Sequence, residues 1–211
     1  MKKTTENLIL LNIIFSICLV LATILASKLI IIGGKFILPS AVVVYGVTFL
    51  CTDIIGELWG KEEANKTVWN GLLMQILATI LIQLAIKLPI APFMTEYQGI
   101  FEAVLKGTLR ITLASLAAYI VSQTTDVMIF HKVKEINNGN HKWIRNNIST
   151  IISQFLDTAI FVIVGFYGNV PDLWVMIYSQ WIIKVIIALC DTPFFYYFTK
   201  VSKEDELQSN I

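Results

Sequence analysis

The segment Pro39–Gly60, PSAVVVYGVTFLCTDIIGELWG, decides how the rest of the chain is interpreted. It is long enough to cross a bilayer and mostly apolar, yet it carries Asp53 and Glu57 near one end. Residues four apart lie on one face of a helix. Because carboxylates are costly to bury in hydrocarbon, this pair indicates either a functional site within the membrane or a helix end at the inner head groups, with Glu57 in water.

The composition of the whole chain indicates an integral membrane protein. Hydrophobic residues make up 56% of the 211 positions, the mean hydropathy is +0.71, and the apolar residues fall in long blocks. The net charge of +1 is uninformative about nucleic acid, and no basic and aromatic patch in the sequence supports a nucleic-acid partner. Metalloprotease, hydrolase and nucleotide-binding motifs are absent, so the sequence predicts no enzyme, no ATP-driven pump and no metal or cofactor.

Apolar blocks of about 20 residues predict an all-α fold of six transmembrane helices in a single domain, 1–211. The predicted spans are residues 8–32, 36–59, 67–87, 101–132, 147–167 and 172–198, followed by a charged tail at 199–211. Lys2 and Lys3 precede the first apolar run as they would in a signal peptide. That run is longer than the apolar core of a typical signal peptide, so it is interpreted as the first span.

Basic residues are distributed unevenly between the loops that these spans create. With the N-terminus inside, the outer loops and helix ends hold only Lys28, Lys35 and Lys87. The inner segments hold ten: Lys2, Lys3, Lys61, Lys66, Lys132, Lys134, Lys142, Arg145, Lys200 and Lys203. Since inner loops are the more basic ones, both termini are predicted to be cytoplasmic. Arg110, within the fourth span, either pairs with a carboxylate or extends its head group towards the surface.

A short sequence pattern, S-Q-x-x-D-x-x-I-F, occurs at both Ser122–Phe130 and Ser153–Phe161. One copy ends the fourth predicted span and the other begins the fifth, both on the inner side. The spacing i, i+3 places each glutamine and aspartate on one helix face. The pairs are Gln123 with Asp126 and Gln154 with Asp157. They fit either a substrate site framed by repeated elements or hydrogen bonds between helices.

Aromatic and charged side chains share faces with these groups. Tyr45 and Phe49 precede Asp53 at four-residue intervals, and Lys184 and Asp191 are two helical turns apart. Carboxylates, amides and aromatic rings together suit a flat heterocycle rich in nitrogen. Three other readings remain open at this point: an ion or proton relay, a structural salt bridge between Lys184 and Asp191, and ordinary packing of the rings.

The run F-L-C-T-D-I-I-G-E-L-W-G at Phe49–Gly60 resembles a signature, F-L-x-T-D-I-I-x-E-x-Y-G, of the queuosine precursor transporter family. That family lies within the broader vitamin uptake transporter grouping, and Trp59 departs from its usual tyrosine. The resemblance extends over about residues 20–198. Further matching positions are Ala26-Ser27-Lys28, Ser122–Asp126, Arg145-Asn146-Asn147, Ser149-Thr150, Ser153–Thr158, Lys184 and Thr192-Pro193.

The resemblance implies a multi-pass protein of the bacterial inner membrane, similar in architecture to the substrate-binding components of energy-coupling-factor transporters. Its expected solutes are queuosine precursors used in tRNA modification: 7-cyano-7-deazaguanine, 7-aminomethyl-7-deazaguanine or queuine. The expected mode is secondary transport. The alternatives are a binding module that needs a separate energising complex, and a transporter of another nitrogen heterocycle or vitamin. A homodimer is also considered, because six helices have little bulk to move against each other.

A deazaguanine offers two donors, N1–H and the 2-amino group, to a carboxylate, and an O6 acceptor to an amide. The resulting hypothesis is that carboxylates and amides of the spans line the solute cavity: Asp53, Gln123, Asp126, Gln154 and Asp157. Glu57, Lys184 and Asp191 are expected to contribute to recognition or to proton-linked gating. Tyr45 and Phe49 are expected to stack on the ring.

Overall fold

The computed structural model describes residues 1–136, 142–187 and 190, which are mostly helical. The elements in chain order are α1 (Thr5–Leu25), β1 (Leu29–Ile32), β2 (Phe36–Pro39), α2 (Val42–Leu58), α3 (Lys61–Lys87), a 3-10 helix (Pro92–Tyr97), α4 (Gln98–Leu105), α5 (Thr108–Ile136), α6 (Lys142–Phe166) and α7 (Leu173–Ile187). The chain divides into two compact units. Unit 1 comprises Met1–Ile30, Leu38–Leu109 and the described residues from Ile183 onward; unit 2 comprises Ile31–Ile37 and Arg110–Ile182.

The first predicted span ends earlier than expected. Helix α1 begins after Thr4, whose side chain accepts a hydrogen bond from the main-chain N–H of Asn7, and it ends at Leu25 rather than Ile32. Residues 29–32 instead form β1, which pairs with β2 in a hairpin. Gly33 and Gly34 have φ of 60° and 70°, and the N–H of Lys35 donates to the Ile32 carbonyl. Two central residues of positive φ are what a type I′ hairpin turn requires, and the β-branched isoleucines favour strand.

Unit 1 is built on the mutual packing of α1, α2 and α3. Its core consists of Leu11, Phe15, Cys51, Ile54, Ile55 and Leu58. At Gly71 of α3 the helices approach closely, because a Cβ there would lie 2.5 Å from Cε1 of Phe15 and 3.2 Å from a methyl of Leu19. The absence of a side chain at Gly71 therefore sets the separation of α1 and α3.

Gly71→Ala is expected to destabilise the protein by about 1–3 kcal/mol, because the new methyl overlaps the Phe15 ring in a packed core. The thermal unfolding midpoint in detergent measures the effect. The control is Gly99→Ala in α4, where a Cβ would meet nothing within 4 Å. That variant should match or slightly exceed the wild-type midpoint, since alanine favours helix over glycine. Equal midpoints for both variants would show that α1 and α3 can separate at no cost.

Unit 2 contains a close approach of α5 to α6. Ala114 and Ala118 of α5 are fully buried, and a Cβ added at Gly165 of α6 would lie 3.3 Å from Ile111 and 3.5 Å from Ala114. Small residues spaced four apart allow helix backbones to pack closely in a membrane. The hairpin tip also belongs to this unit, since the N–H of Ile37 donates to Ser179 Oγ of α7 at 3.2 Å.

Three described segments are long and apolar enough to cross a membrane: Thr5–Leu25, Lys61–Lys87 and Pro92–Ser122. Ile151–Phe166 and Leu173–Ile187 are shorter apolar helices. Large apolar side chains are exposed along α1 at Ile9, Ile13 and Ile17, which suits contact with lipid. The multi-pass helical prediction is therefore confirmed, whereas the count of six, the cytoplasmic termini and the single domain stay predictions.

Candidate functional site

Helix α2 has one face that packs and another that carries the predicted site residues. Thr48, Cys51 and Ile55 are buried on the packed side. On the other side, four residues follow one another at four-residue steps. Tyr45 and Phe49 are half-buried, and Asp53 and Glu57 are exposed. An exposed carboxylate on a membrane helix needs water, head groups, a polar solute or another polar protein group beside it, because hydrocarbon does not solvate it.

The start of this α2 face, in unit 1, is an aromatic pair approached by a cation. The rings of Tyr45 and Phe49 are stacked, with centroids 6.4 Å apart and planes inclined by 29°. Lys184 Nζ of α7 lies 5.8 Å from the Tyr45 ring centroid, within the range of a cation–π interaction. The structure thus brings together three of the predicted residues. Asp191, which was expected to contribute with Lys184 to recognition or gating, lies outside the described residues.

In unit 2 the second copy of the repeated pattern lies on α6. Gln154 is exposed, Asp157 is half-buried, and Thr158 is buried with its hydroxyl donating to the Gln154 carbonyl at 2.9 Å. The side chains of Gln154 and Asp157 are therefore not wholly enclosed by protein. For the first copy, α5 includes Gln123 and Asp126, but their side chains lie outside the described part of the structure. The serines that open the two copies, Ser122 and Ser153, are both buried.

An aromatic cluster between α6 and α7 was not predicted from the sequence. The Phe155 ring lies edge-on to Trp181, with centroids 6.0 Å apart, and it is 6.2 Å from Tyr178. Phe155 occupies a position where the first copy of the pattern has Thr124. This difference between the two copies of the pattern is the sequence signal that could have identified Phe155 in advance. The cluster places ring surfaces directly beside Gln154 in the chain.

Arg110 has a structural partner that the sequence did not indicate. Its Nε donates to the Val164 carbonyl at 2.8 Å, and its Nη2 donates to the Tyr167 carbonyl at 2.7 Å. These carbonyls belong to the last turn of α6 and the residue after it, where helical hydrogen bonds end. A positive charge also interacts favourably with a helix C-terminus. Arg110 thus caps α6, in place of the carboxylate pairing or the snorkelling considered above.

Within residues 1–136, 142–187 and 190, no group of three or more histidine, cysteine, aspartate or glutamate side chains is arranged to hold a metal ion. The polar groups that the structure does arrange are carboxylates, amides and a lysine beside aromatic rings. Such groups bind organic solutes through hydrogen bonds and stacking.

Apolar helices of spanning length, with carboxylates and amides on neighbouring helices, indicate a multi-pass protein of the cell membrane. A family model described as "Putative vitamin uptake transporter" matches residues 39–198. The chain belongs to this vitamin uptake transporter family, in agreement with the resemblance inferred from Phe49–Gly60.

Three relatives carry names that specify a solute. A Bacillus subtilis protein named "Probable queuosine precursor transporter" is 35% identical over 170 residues, which cover 79% of this chain and 74% of the relative. A Haemophilus influenzae protein of the same name is 24% identical over 149 residues, which cover 67% of this chain and 59% of the relative. The Escherichia coli "Queuosine precursor transporter" is 24% identical over 145 residues, covering 67% and 60%. No solved structure matches the chain.

Proposed function

We propose that this protein imports queuosine precursors across the cell membrane as a secondary transporter. The solutes are 7-cyano-7-deazaguanine, 7-aminomethyl-7-deazaguanine or queuine. The names of the three relatives support the solute class. The observation that carries the proposal is the α2 face, where a stacked aromatic pair, Tyr45 and Phe49, is followed one turn later by the exposed carboxylate of Asp53.

The chemistry of a deazaguanine is complementary to these groups. Its flat ring has two π-faces that stack on aromatic side chains. Its N1–H and 2-amino group are adjacent donors that one carboxylate accepts together. Asp53 and Asp157 are the described carboxylates proposed to contact the solute, one of them in this role, with Gln154 as an amide partner for O6. Gln123 and Asp126 complete the proposed set, and Asp191 is assigned with Lys184 to recognition of the 7-substituent or to gating.

Exposed carboxylates on membrane helices also favour proton-coupled transport. A carboxylate that alternates between water and a dry site can change its protonation state as it does so. Glu57, one turn beyond Asp53 and exposed, is proposed as a group that carries the proton. In the alternative mechanism the protein is a binding module and an energising complex supplies the work.

Reconstitution of the purified protein into liposomes tests both the solute and the mechanism. Labelled 7-cyano-7-deazaguanine should accumulate inside, faster with an inward proton gradient, and unlabelled 7-aminomethyl-7-deazaguanine or queuine should compete. Binding without uptake would replace the secondary transporter with the binding module. If guanine, both 7-substituted deazaguanines and queuine all failed to bind, the solute assignment would be wrong.

A further inference from the structure

The side-chain amide of Gln180 in α7 is buried without a hydrogen-bond partner among the described residues. Its side chain is 1% exposed, and neither Nε2 nor Oε1 has a hydrogen-bond partner among the described residues. Burying an amide without hydrogen bonds is unfavourable. Buried polar groups are nearly always paired, so each exception requires a specific explanation.

Comparison with the other buried glutamine singles out Gln180. Gln75 of α3 is equally buried, but only one of its two polar atoms, Oε1, is fully enclosed without a hydrogen-bond partner among the described residues. At Gln180 a donor and an acceptor are both unpaired on one rigid, planar group. A carboxamide in this state is complementary to a ligand edge that presents an acceptor and a donor side by side.

The surroundings of Gln180 in unit 2 fix its position. The preceding residue, Ser179, accepts a hydrogen bond from Ile37 of the hairpin and donates to the Val175 carbonyl at 2.6 Å. The following residue, Trp181, contacts the Phe155 ring edge-on. The backbone on both sides of Gln180 is thereby held in place, and a preorganised amide loses little entropy when it pairs with a ligand.

We infer that the Gln180 carboxamide pairs with the N3 and N9–H edge of a 7-deazaguanine and so selects the free base. This inference rests on the proposed function. A carboxylate that accepts N1–H and the 2-amino group leaves N3 and N9–H as the adjacent acceptor and donor of the free base. Nε2 then donates to N3 and Oε1 accepts from N9–H, two hydrogen bonds that a nucleoside substituted at N9 cannot make.

The test compares two ligands on the wild-type protein and on Gln180→Met. One ligand is 7-deazaguanine. The other is its furo[2,3-d]pyrimidine analogue, in which a ring oxygen of similar size replaces N9–H. The wild type should bind the analogue about 10- to 100-fold more weakly, because Oε1 loses its donor. Gln180→Met should bind 7-deazaguanine more weakly than the wild type does and should no longer distinguish the two ligands.

A second measurement separates this role from a structural one. Methionine is apolar and similar in shape to glutamine, so Gln180→Met removes an unpaired amide and should leave the ligand-free unfolding midpoint equal or higher. The matched control is Gln83→Met in α3, whose amide donates to Thr108 Oγ1 at 3.4 Å. The control should keep wild-type discrimination between the two ligands.

Three results would overturn the inference while leaving the proposed function intact. They are wild-type affinity of Gln180→Met for 7-deazaguanine, equal wild-type affinity for both ligands, and loss of binding accompanied by a markedly lower ligand-free midpoint. Absence of any deazaguanine binding by the wild type would instead refute the proposed function, and this inference with it.

Discussion

Asp157→Asn is expected to abolish uptake of 7-cyano-7-deazaguanine while the protein reaches the membrane in normal amounts. In the proposed site the carboxylate accepts two hydrogen bonds from the base. Asparagine replaces one acceptor with an NH₂ donor, which then faces a donor of the ligand. A loss of a charge-assisted pair of this kind is worth roughly 2–4 kcal/mol, or about 30- to 1000-fold in affinity. Binding to detergent-solubilised protein measures the effect directly.

Asp172→Asn is the matched control, because it makes the same chemical change in the same unit at a position with a known structural role. Asp172 Oδ1 accepts hydrogen bonds from the main-chain N–H groups of Trp174 and Val175 at the start of α7. Asparagine serves as well as aspartate at a helix N-cap. The control should therefore bind and transport like the wild type.

Asp53→Asn, in unit 1, is expected to show the same loss as Asp157→Asn. If both variants bound a labelled deazaguanine as tightly as the wild type, the assignment of these carboxylates to the solute cavity would be wrong. If only one variant lost binding, only that carboxylate would remain assigned to the solute. Glu57→Gln provides a further distinction, since a proton-carrying group should affect accumulation under a gradient more than binding.

Arg110→Met should have the largest effect on stability, with a loss of roughly 2–4 kcal/mol. The change removes two hydrogen bonds, 2.8 Å and 2.7 Å long, to the carbonyls of Val164 and Tyr167. Those carbonyls lie at the end of a helix, where no following turn supplies main-chain N–H groups to donate to them. Loss of the cap also removes a favourable charge at the α6 C-terminus. The unfolding midpoint in detergent should fall by at least about 5 °C.

Two variants separate the geometry of the cap from its charge. Arg110→Lys keeps the positive charge but presents one ammonium group in place of the planar fork, so it should restore only part of the stability. Lys106→Met removes a charge at an exposed position nearby in the chain and should leave the midpoint unchanged. A wild-type midpoint for Arg110→Met would mean that neither carbonyl depends on the guanidinium.

The properties that the sequence predicted well are those set by composition and by local periodicity. Long apolar blocks identify membrane helices whatever those helices pack against. Hydrocarbon requires each span to be apolar, of sufficient length and internally hydrogen-bonded. The four-residue steps from Tyr45 to Phe49 and Asp53 place these residues along one helix face whatever the helix packs against. The signature at Phe49–Gly60 likewise identified the family, since it depends on residue identity alone.

The first predicted span was placed too far along the chain, to Ile32 instead of Leu25, because two local preferences compete there: the length of an apolar run and the strand preference of β-branched residues. An apolar run from residue 8 to 32 satisfies the length of a span, yet its last residues are β-branched and are followed by two glycines. Pairing of residues 29–32 with residues 36–39 satisfies the main-chain hydrogen bonds that a continued helix would otherwise satisfy. Length counting cannot detect this outcome, because it depends on a partner strand.

The sequence by itself thus determined that this chain is a helical membrane transporter of the vitamin uptake family, and which residues of α2 share a face. Only the tertiary structure decided the partners of residues distant in sequence. Arg110 caps a helix that ends 56 residues later, at Phe166. Lys184 approaches the Tyr45 ring, and the Gln180 amide is enclosed without a partner among the described residues. These features depend on which helices pack together, and packing follows from the sum of many weak contacts rather than from any local pattern.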